Sequence, residues 1–326
     1  MRYLIGVDLG TSATKTVLFD EELHVKASSS KAYPLSQPEN GWAEQQPEDW
    51  YEATAETIRS VLEQSGIDPH DVAGSGLSGR MHGLVMLDEE NEVLRPSIIW
   101  CDQRTGKECR EITERVGREK LIAITANPAL TGFTASKILW VRNHEPEIYA
   151  KCRHILLPKD YVRFKMTGAY ATEVSDASGM QLLDVPHRCW SKELLRILDI
   201  DEAMLAKVYE SPDIAGRVHE AFARKSGLCA GTPVVGGHRR RRQGVHDDRH
   251  ERRRLRAYEH AAHRPGRPRP HVLLCRAGLL ARHGGDAGRR PLAEMGERPD
   301  CRPLSHRGGA AGLRRLRPHQ QGRGGR

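Results

Sequence analysis

After Gly237 this 326-residue chain contains no Lys, Ile, Phe, Thr, Asn or Trp. What remains there is chiefly Arg, Gly, Pro, His, Ala and Leu, a set that cannot build an ordinary core. Other absences narrow the rest of the chain. The seven Cys (Cys101, Cys109, Cys152, Cys189, Cys229, Cys275 and Cys301) form no C-x-x-C pair and no zinc-ligand spacing. That pattern argues for free thiols in a reducing compartment, and against disulfides or a structural metal. The lack of any G-x-x-x-x-G-K-[ST] run argues against a P-loop enzyme. No stretch is apolar over the length needed to span a bilayer, and Met1 to Asp8 moves straight into a strand pattern without a leader-like run. The expectation is a cytoplasmic protein with no membrane partner.

Charge divides at the same point. The last 89 residues hold 24 of the 51 Lys+Arg, all of them Arg, and 8 of the 43 Asp+Glu, a net of +16. Residues 1–237 are therefore at −8, and the overall +8 describes neither part. All five Trp (Trp42, Trp50, Trp100, Trp140, Trp190) lie in the front part, which is long enough for one sizeable domain or two small ones.

Within that part, Tyr3 to Asp8 and Thr14 to Asp20 read as strands joined by a tight Gly10-Thr11-Ser12 turn, with Leu23 to Ser28 as a third. Pro47 to Gln64 follows helical spacing, with Pro47 suited to a first turn, Trp50, Ala53, Ile58 and Leu62 facing inward, and Gly66 ending it. Val72 to Leu77 and Val85 to Asp88 read as strands. Thr105 to Val116 and Ala135 to His144 read as helices, the second stopped by Pro146. Alternating strands and helices place the chain in the α/β class.

Asp8-Leu9-Gly10-Thr11-Ser12-Ala13-Thr14-Lys15 combines a carboxylate at a strand end, a Gly that lets backbone approach a ligand, and two hydroxyls beside turn N–H groups. Such a turn suits a nucleotide phosphate, with Asp8 holding magnesium through a water. It also suits a plain β-turn, and the residues alone leave both open. The segment resembles the first phosphate motif of sugar kinases with the actin/hexokinase-like (ribonuclease H-like) fold. Gly132-Phe133-Thr134-Ala135-Ser136-Lys137-Ile138-Leu139-Trp140-Val141-Arg142-Asn143-His144 then matches G-x-T-x-x-K-I-x-W-V-x-N-H, the first signature of the FGGY carbohydrate kinases, at each specified position. Gly76 to Gly83, Trp100 to Arg104, Leu156 to Tyr161 and Ser175 to Gly179 resemble the xylulokinase branch of that family. The resemblance runs from Tyr3 to Gly237.

It implies an ATP- and Mg-dependent phosphotransferase acting on D-xylulose, with Asp8 positioning Mg and phosphate and Gly10, Thr11, Ser12 and Lys15 binding phosphate. It also implies that Met81 and His82 touch the ketose, since a neutral imidazole can both donate to and accept from sugar hydroxyls. Trp100 and Asp102 follow the apolar Ile98-Ile99, where a strand would end at a cleft, and are read as an aromatic wall and a hydroxyl acceptor. A core Trp with a capping Asp is the plainer alternative. The share of Arg80 in sugar recognition is left open. Lys137 and Trp140 lie on one helical face and are read as structural, Trp140 packing and Lys137 snorkelling. Asp176 is read as part of a Ser175–Ser178 turn. His246 to His250 is rejected as a metal site because Arg flanks it.

Phosphoryl transfer to a hydroxyl also needs a carboxylate base. In the xylulokinases this is an Asp in a G-G-G-D-x-A-A-G-A-V stretch following a strand like Thr232 to Gly237, but here the chain continues His238-Arg239-Arg240-Arg241-Arg242. If that Arg run is written in CGN codons, a reading one nucleotide later gives GNC codons, which include Asp and Ala. His271 to Ala287, shifted likewise, can encode T-F-F-C-A-V-P-G-Y-W-H-V-M-G-V-M-Q, which resembles the second xylulokinase domain. The expectation is a frame change near codon 238, a disordered tail over 238–326, and a front domain over 1–237 that does not turn over alone. Two other readings stand beside it: a non-catalytic sugar-binding module, and nucleic-acid binding through the basic tail.

Overall fold

A computed structural model describes residues 1–237. The expectations for 238–326, including the disordered tail, the His246–His250 group and the frame change, lie outside the described residues.

The N-terminal segment forms three strands, β1 (Tyr3–Leu9), β2 (Ala13–Asp20) and β3 (Val25–Ala32), paired antiparallel in sequence order. The chain then enters helix α1 (Pro47–Ser65). Pro47 occupies the first turn, where its missing N–H is no loss, and Gly66 closes the helix in the left-handed region at φ +64°, its N–H donating to Leu62 O. Trp50, Ala53, Ile58 and Leu62 are all buried, as their spacing predicts. On the same inner face the Thr57 and Thr16 hydroxyls hydrogen-bond at 2.7 Å, joining α1 to β2.

Strand β4 (Val72–Gly79) returns parallel to β1, which the intervening helix makes possible. Much later, β5 (Ile214–Arg217) and β6 (Pro233–Val235) complete a six-stranded sheet in the order β5-β6-β4-β1-β2-β3. β6 is parallel to β4. The carboxyl ends of β1, β4 and β6 therefore share one edge, the edge at which open α/β sheets bind ligands.

Between β4 and β5 the chain builds a second apolar core around helix α2 (Thr134–His144). Helix α3 (Pro158–Thr167) packs with α1 in the first core instead. Pro146 does more than end α2. It also occupies the first turn of a short helix, Pro146–Lys151, so one residue closes one helix and opens the next. Among the described residues no helix is long and apolar enough to cross a membrane.

Candidate active site

The β1–β2 turn is held entirely from one side. Gly10 O accepts from Tyr33 Oη at 2.5 Å and from the Arg80 guanidinium, Thr11 O accepts from Gln45 Nε2 at 3.1 Å, and Ser12 O accepts from Tyr33 N–H at 3.2 Å. In a trans peptide the next N–H points opposite its carbonyl, so these bonds turn the Thr11 and Ser12 N–H groups outward. That is the layout of an anion-binding concavity. Gly10 is required by close approach, because a Cβ there would lie 2.8 Å from Ala13 O. Asp8 and Lys15 are register partners across the strand pair, so opposite charges sit together beneath the turn.

Arg80 belongs to this support. It is almost fully buried, donates also to Gln45 Oε1, and lies over the Trp50 ring at 5.3 Å. Burial draws its pKa below the ordinary arginine value. Its guanidinium is thus tied to the β1–β2 turn through Gly10 O and to Gln45. Tyr33 and Gln45 act beside it and carry no sequence signal, being joined to the turn only by folding.

Next to this turn, Arg80 N–H donates to Leu9 O at 2.9 Å, so the Met81-His82 loop leaves β4 beside the end of β1. His82 lies in the left-handed region at φ +69°, and Gly83 N–H donates to Met81 O at 3.0 Å across it. This is a γ-turn of the rarer hand, a strained form costing on the order of 1–3 kcal/mol at a residue with a β-carbon. The ring meets the edge of Phe133 at 4.5 Å, and Nδ1 lies 3.0 Å from Gly179 O. Gly179 must be Gly, since a Cβ would stand 2.3 Å from the imidazole.

Trp100 is half-exposed and donates its indole N–H to Thr11 Oγ1 at 3.2 Å, so it stands against the β1–β2 turn.

Asp102 is different, and its reading as a hydroxyl acceptor is corrected. It is fully buried, and both oxygens are consumed: Arg104 takes them with Nε at 3.0 Å and Nη2 at 2.7 Å, and Ala43 N–H donates to Oδ2 at 2.7 Å. Arg104 in turn pairs with Glu44 and stacks on Trp42 at 3.6 Å. Asp102 holds the wall of the site together and presents nothing to a ligand.

Lys137 is also corrected. It does not snorkel, because α2 is buried all round from Thr134 to Val141 and offers no route to solvent. Its ammonium donates to His82 O and to Gly132 O, each at 2.7 Å. Burial lowers its pKa to about 7, with Asp102 opposing that fall. Trp140 packs as expected, edge-on to Trp42 at 5.4 Å.

The turn reading of Asp176 is corrected: its backbone lies in a short helix, Val174–Ala177, with the Glu173 carboxylate accepting from the Ser175 and Asp176 N–H groups. The Asp176 side chain is buried, 3.1 Å from Lys159 Nζ, which also donates to Glu173 Oε1 at 2.9 Å and to Gly236 O at 3.0 Å. Burial raises Asp176. It acts the same way on Glu173, but there Lys159 and the Ser211 and Ser175 hydrogen bonds win and the pKa falls. This cluster fastens the end of β6 where the described chain stops.

The match to known proteins covers the same ground. The family model described as FGGY family of carbohydrate kinases, N-terminal domain, matches residues 3–242. The chain belongs to that family. Xylulose kinase of Bacillus subtilis is 44% identical over 237 residues, which are 73% of this chain and 47% of the relative. A solved xyloylose kinase from Brucella ovis is 37% identical, with a TM-score of 0.68 over 72% of this chain and 48% of that one. A gluconate kinase from Lactobacillus acidophilus superposes equally well, TM-score 0.68, at 30% identity over 72% of this chain and 47% of that one. The chain thus spans about half the length of the curated relatives it matches. This FGGY N-terminal domain has the actin/hexokinase-like fold, and two neighbours named for different acceptors share its backbone.

Proposed function

We propose that residues 1–237 are the sugar- and phosphate-facing half of an ATP-dependent xylulokinase, which forms D-xylulose 5-phosphate in the cytoplasm. The observation that carries this reading is the phosphate turn with its carbonyls held inward, standing beside the Met81-His82 loop at the shared strand ends. The residues fit the nucleotide and its metal. Thr11, Ser12 and Lys15 offer donors to phosphate oxygens, and Gly10 keeps the turn tight enough for backbone contact. Among the described residues no group of three or more His, Cys, Asp or Glu is placed to ligate a metal. Asp8 would therefore hold Mg²⁺ through water, as suits an ion that keeps much of its hydration. When bound, MgATP supplies the γ-phosphoryl group and the counter-charge for it.

The chain's own residues do the rest of the positioning. Met81 and His82 receive the ketose, His82 offering imidazole hydrogen bonds to its hydroxyls, and Trp100 shields the space beside Thr11. The acceptor oxygen attacks phosphorus as the bridge oxygen leaves, and the hydroxyl proton must pass to a carboxylate. In the family that carboxylate follows the β6 strand, where this chain has His238-Arg239-Arg240. We read the junction as a frame change near codon 238 and the 326-residue product as at best a weak ketose binder, without turnover. The basic tail would give it only salt-sensitive, sequence-independent contacts with nucleic acid.

The test is to sequence the gene across codon 238, then to compare both proteins in a coupled ADP-release assay over a sugar panel. Turnover on D-xylulose by the frame-restored protein, and none by the 326-residue chain, is the expected result. A restored protein that prefers gluconate or glycerol would overturn the substrate, and an uninterrupted frame encoding the Arg run would overturn the frame change.

A further inference from the structure

The first family signature has a job in this structure that its pattern does not disclose. His82 sits at the centre of a strained γ-turn, and strain of that kind persists only where the surroundings over-determine it. Two donors converge on the His82 carbonyl oxygen: Lys137 Nζ at 2.7 Å and Thr134 Oγ1 at 3.2 Å. Both come from α2, and both are specified positions of the signature. The second Lys137 bond, to Gly132 O, ties in another signature residue, whose Cα side faces Trp100 O closely. Phe133, between them, touches the His82 ring.

A lysine is a costly way to fill this space. The side chain is fully buried, and among the described residues no carboxylate lies within ion-pair distance of its Nζ. An apolar residue could pack beside Ile138 and Trp140 without desolvating a charge. What the ammonium gains is the two carbonyl bonds, together with the attraction of the Asp102 carboxylate that Arg104 already holds.

We propose that Lys137 and Thr134 are positioning residues for ketose binding: they grip the His82 carbonyl from one turn of α2 and hold the γ-turn that aims the imidazole. This rests on the reading of Met81 and His82 as ketose contacts. Lys137 and Thr134 act through His82 and meet no substrate themselves. Gly179 completes the device from the other side, accepting at Nδ1 while leaving room for the ring.

The experiment uses the full 326-residue chain, unliganded and titrated with D-xylulose, as wild type, Thr134→Val, Thr134→Ser and Lys137→Met. The His82 ring C–H resonances and the exchange rate of the Gly83 amide report the turn directly. Thr134→Val and Lys137→Met should shift the ring resonances, speed Gly83 exchange about tenfold and weaken D-xylulose binding by a similar factor, while Thr134→Ser restores the wild-type values. Should Lys137→Met fail to fold, the Val and Ser pair carries the test. Unchanged ring resonances and Gly83 exchange in the folded Thr134→Val chain would overturn the proposal. A wild-type chain that ignores D-xylulose, yet shows the ring shifts in the variants, would overturn the ketose reading and leave the clamp supported.

Discussion

The Lys137 ammonium lies 2.7 Å from the carbonyl oxygen of His82, joining the middle of a buried helix to the Met81-His82 loop. Its titration follows from that burial. In the folded chain its pKa is lowered to about 7, while in the unfolded chain it returns to the ordinary lysine value of 10.5. Between those values the unfolded state binds more protons than the folded one, so this group makes stability rise with pH across the window. Urea unfolding at several pH values should show that rise in the wild type and a flatter profile in Lys137→Met.

Gly179→Ala places a methyl group 2.3 Å from the His82 ring. The ring or the short 3-10 turn of helix Ser178–Met180 must move, at a cost of about 1–3 kcal/mol for overpacking. D-xylulose affinity should fall about tenfold or more, because the displaced imidazole loses its Gly179 O partner. Calorimetric titration of the folded variant checks this, and unchanged affinity would remove His82 from the site.

Asp102→Asn separates a structural carboxylate from a ligand-binding one. The substitution leaves Arg104 buried beside a neutral amide, and stability should drop by on the order of 2 kcal/mol or more. Affinity of the folded fraction for D-xylulose should stay within about twofold, since Asp102 presents no oxygen outward. A selective loss of affinity without loss of stability would restore Asp102 to the sugar site.

Lys159→Met strips the counter-charge from Glu173 and Asp176 together, leaving buried carboxyls unpaired, a change that costs roughly 3–5 kcal/mol. It also removes one of the two donors to Gly236 O after β6, leaving the Arg163 guanidinium as the other. Thermal unfolding should drop steeply, and adding Asp176→Asn should recover part of the loss, because one fewer carboxylate then lacks a partner.

Which parts were legible in the sequence follows from how local each interaction is. The β1–β2 hairpin, α1 with its Pro47 start and Gly66 stop, and the helix carrying the signature are set by near neighbours in the chain, and the structure places them within a few residues of the expected bounds. Asp102 was misjudged because a strand end beside an aromatic looks like a cleft, whereas the partner that consumes it, Arg104, stands only two residues on and gives no periodic cue. Lys137 was misjudged because snorkelling assumes a helix with one wet face, and α2 has none over its first two turns. Arg80, Tyr33 and Gln45 reach the phosphate turn from separate strands and loops, so their convergence appears only in three dimensions. The Lys159, Glu173 and Asp176 group is similar: three charged residues spread over eighteen positions, brought under Gly236 by α3, the short strand Ala171–Glu173 and the helix Val174–Ala177.

The account rests on residues 1–237 receiving a ketose at His82 while lacking the carboxylate that would accept its proton. Its most direct test is one titration of the 326-residue chain with D-xylulose in the presence of MgATP, following the His82 ring resonances and ADP release together. Saturable shifts of those resonances with no ADP formed is the predicted result; ADP release at ordinary kinase rates, or D-xylulose binding that leaves His82 undisturbed, would contradict it.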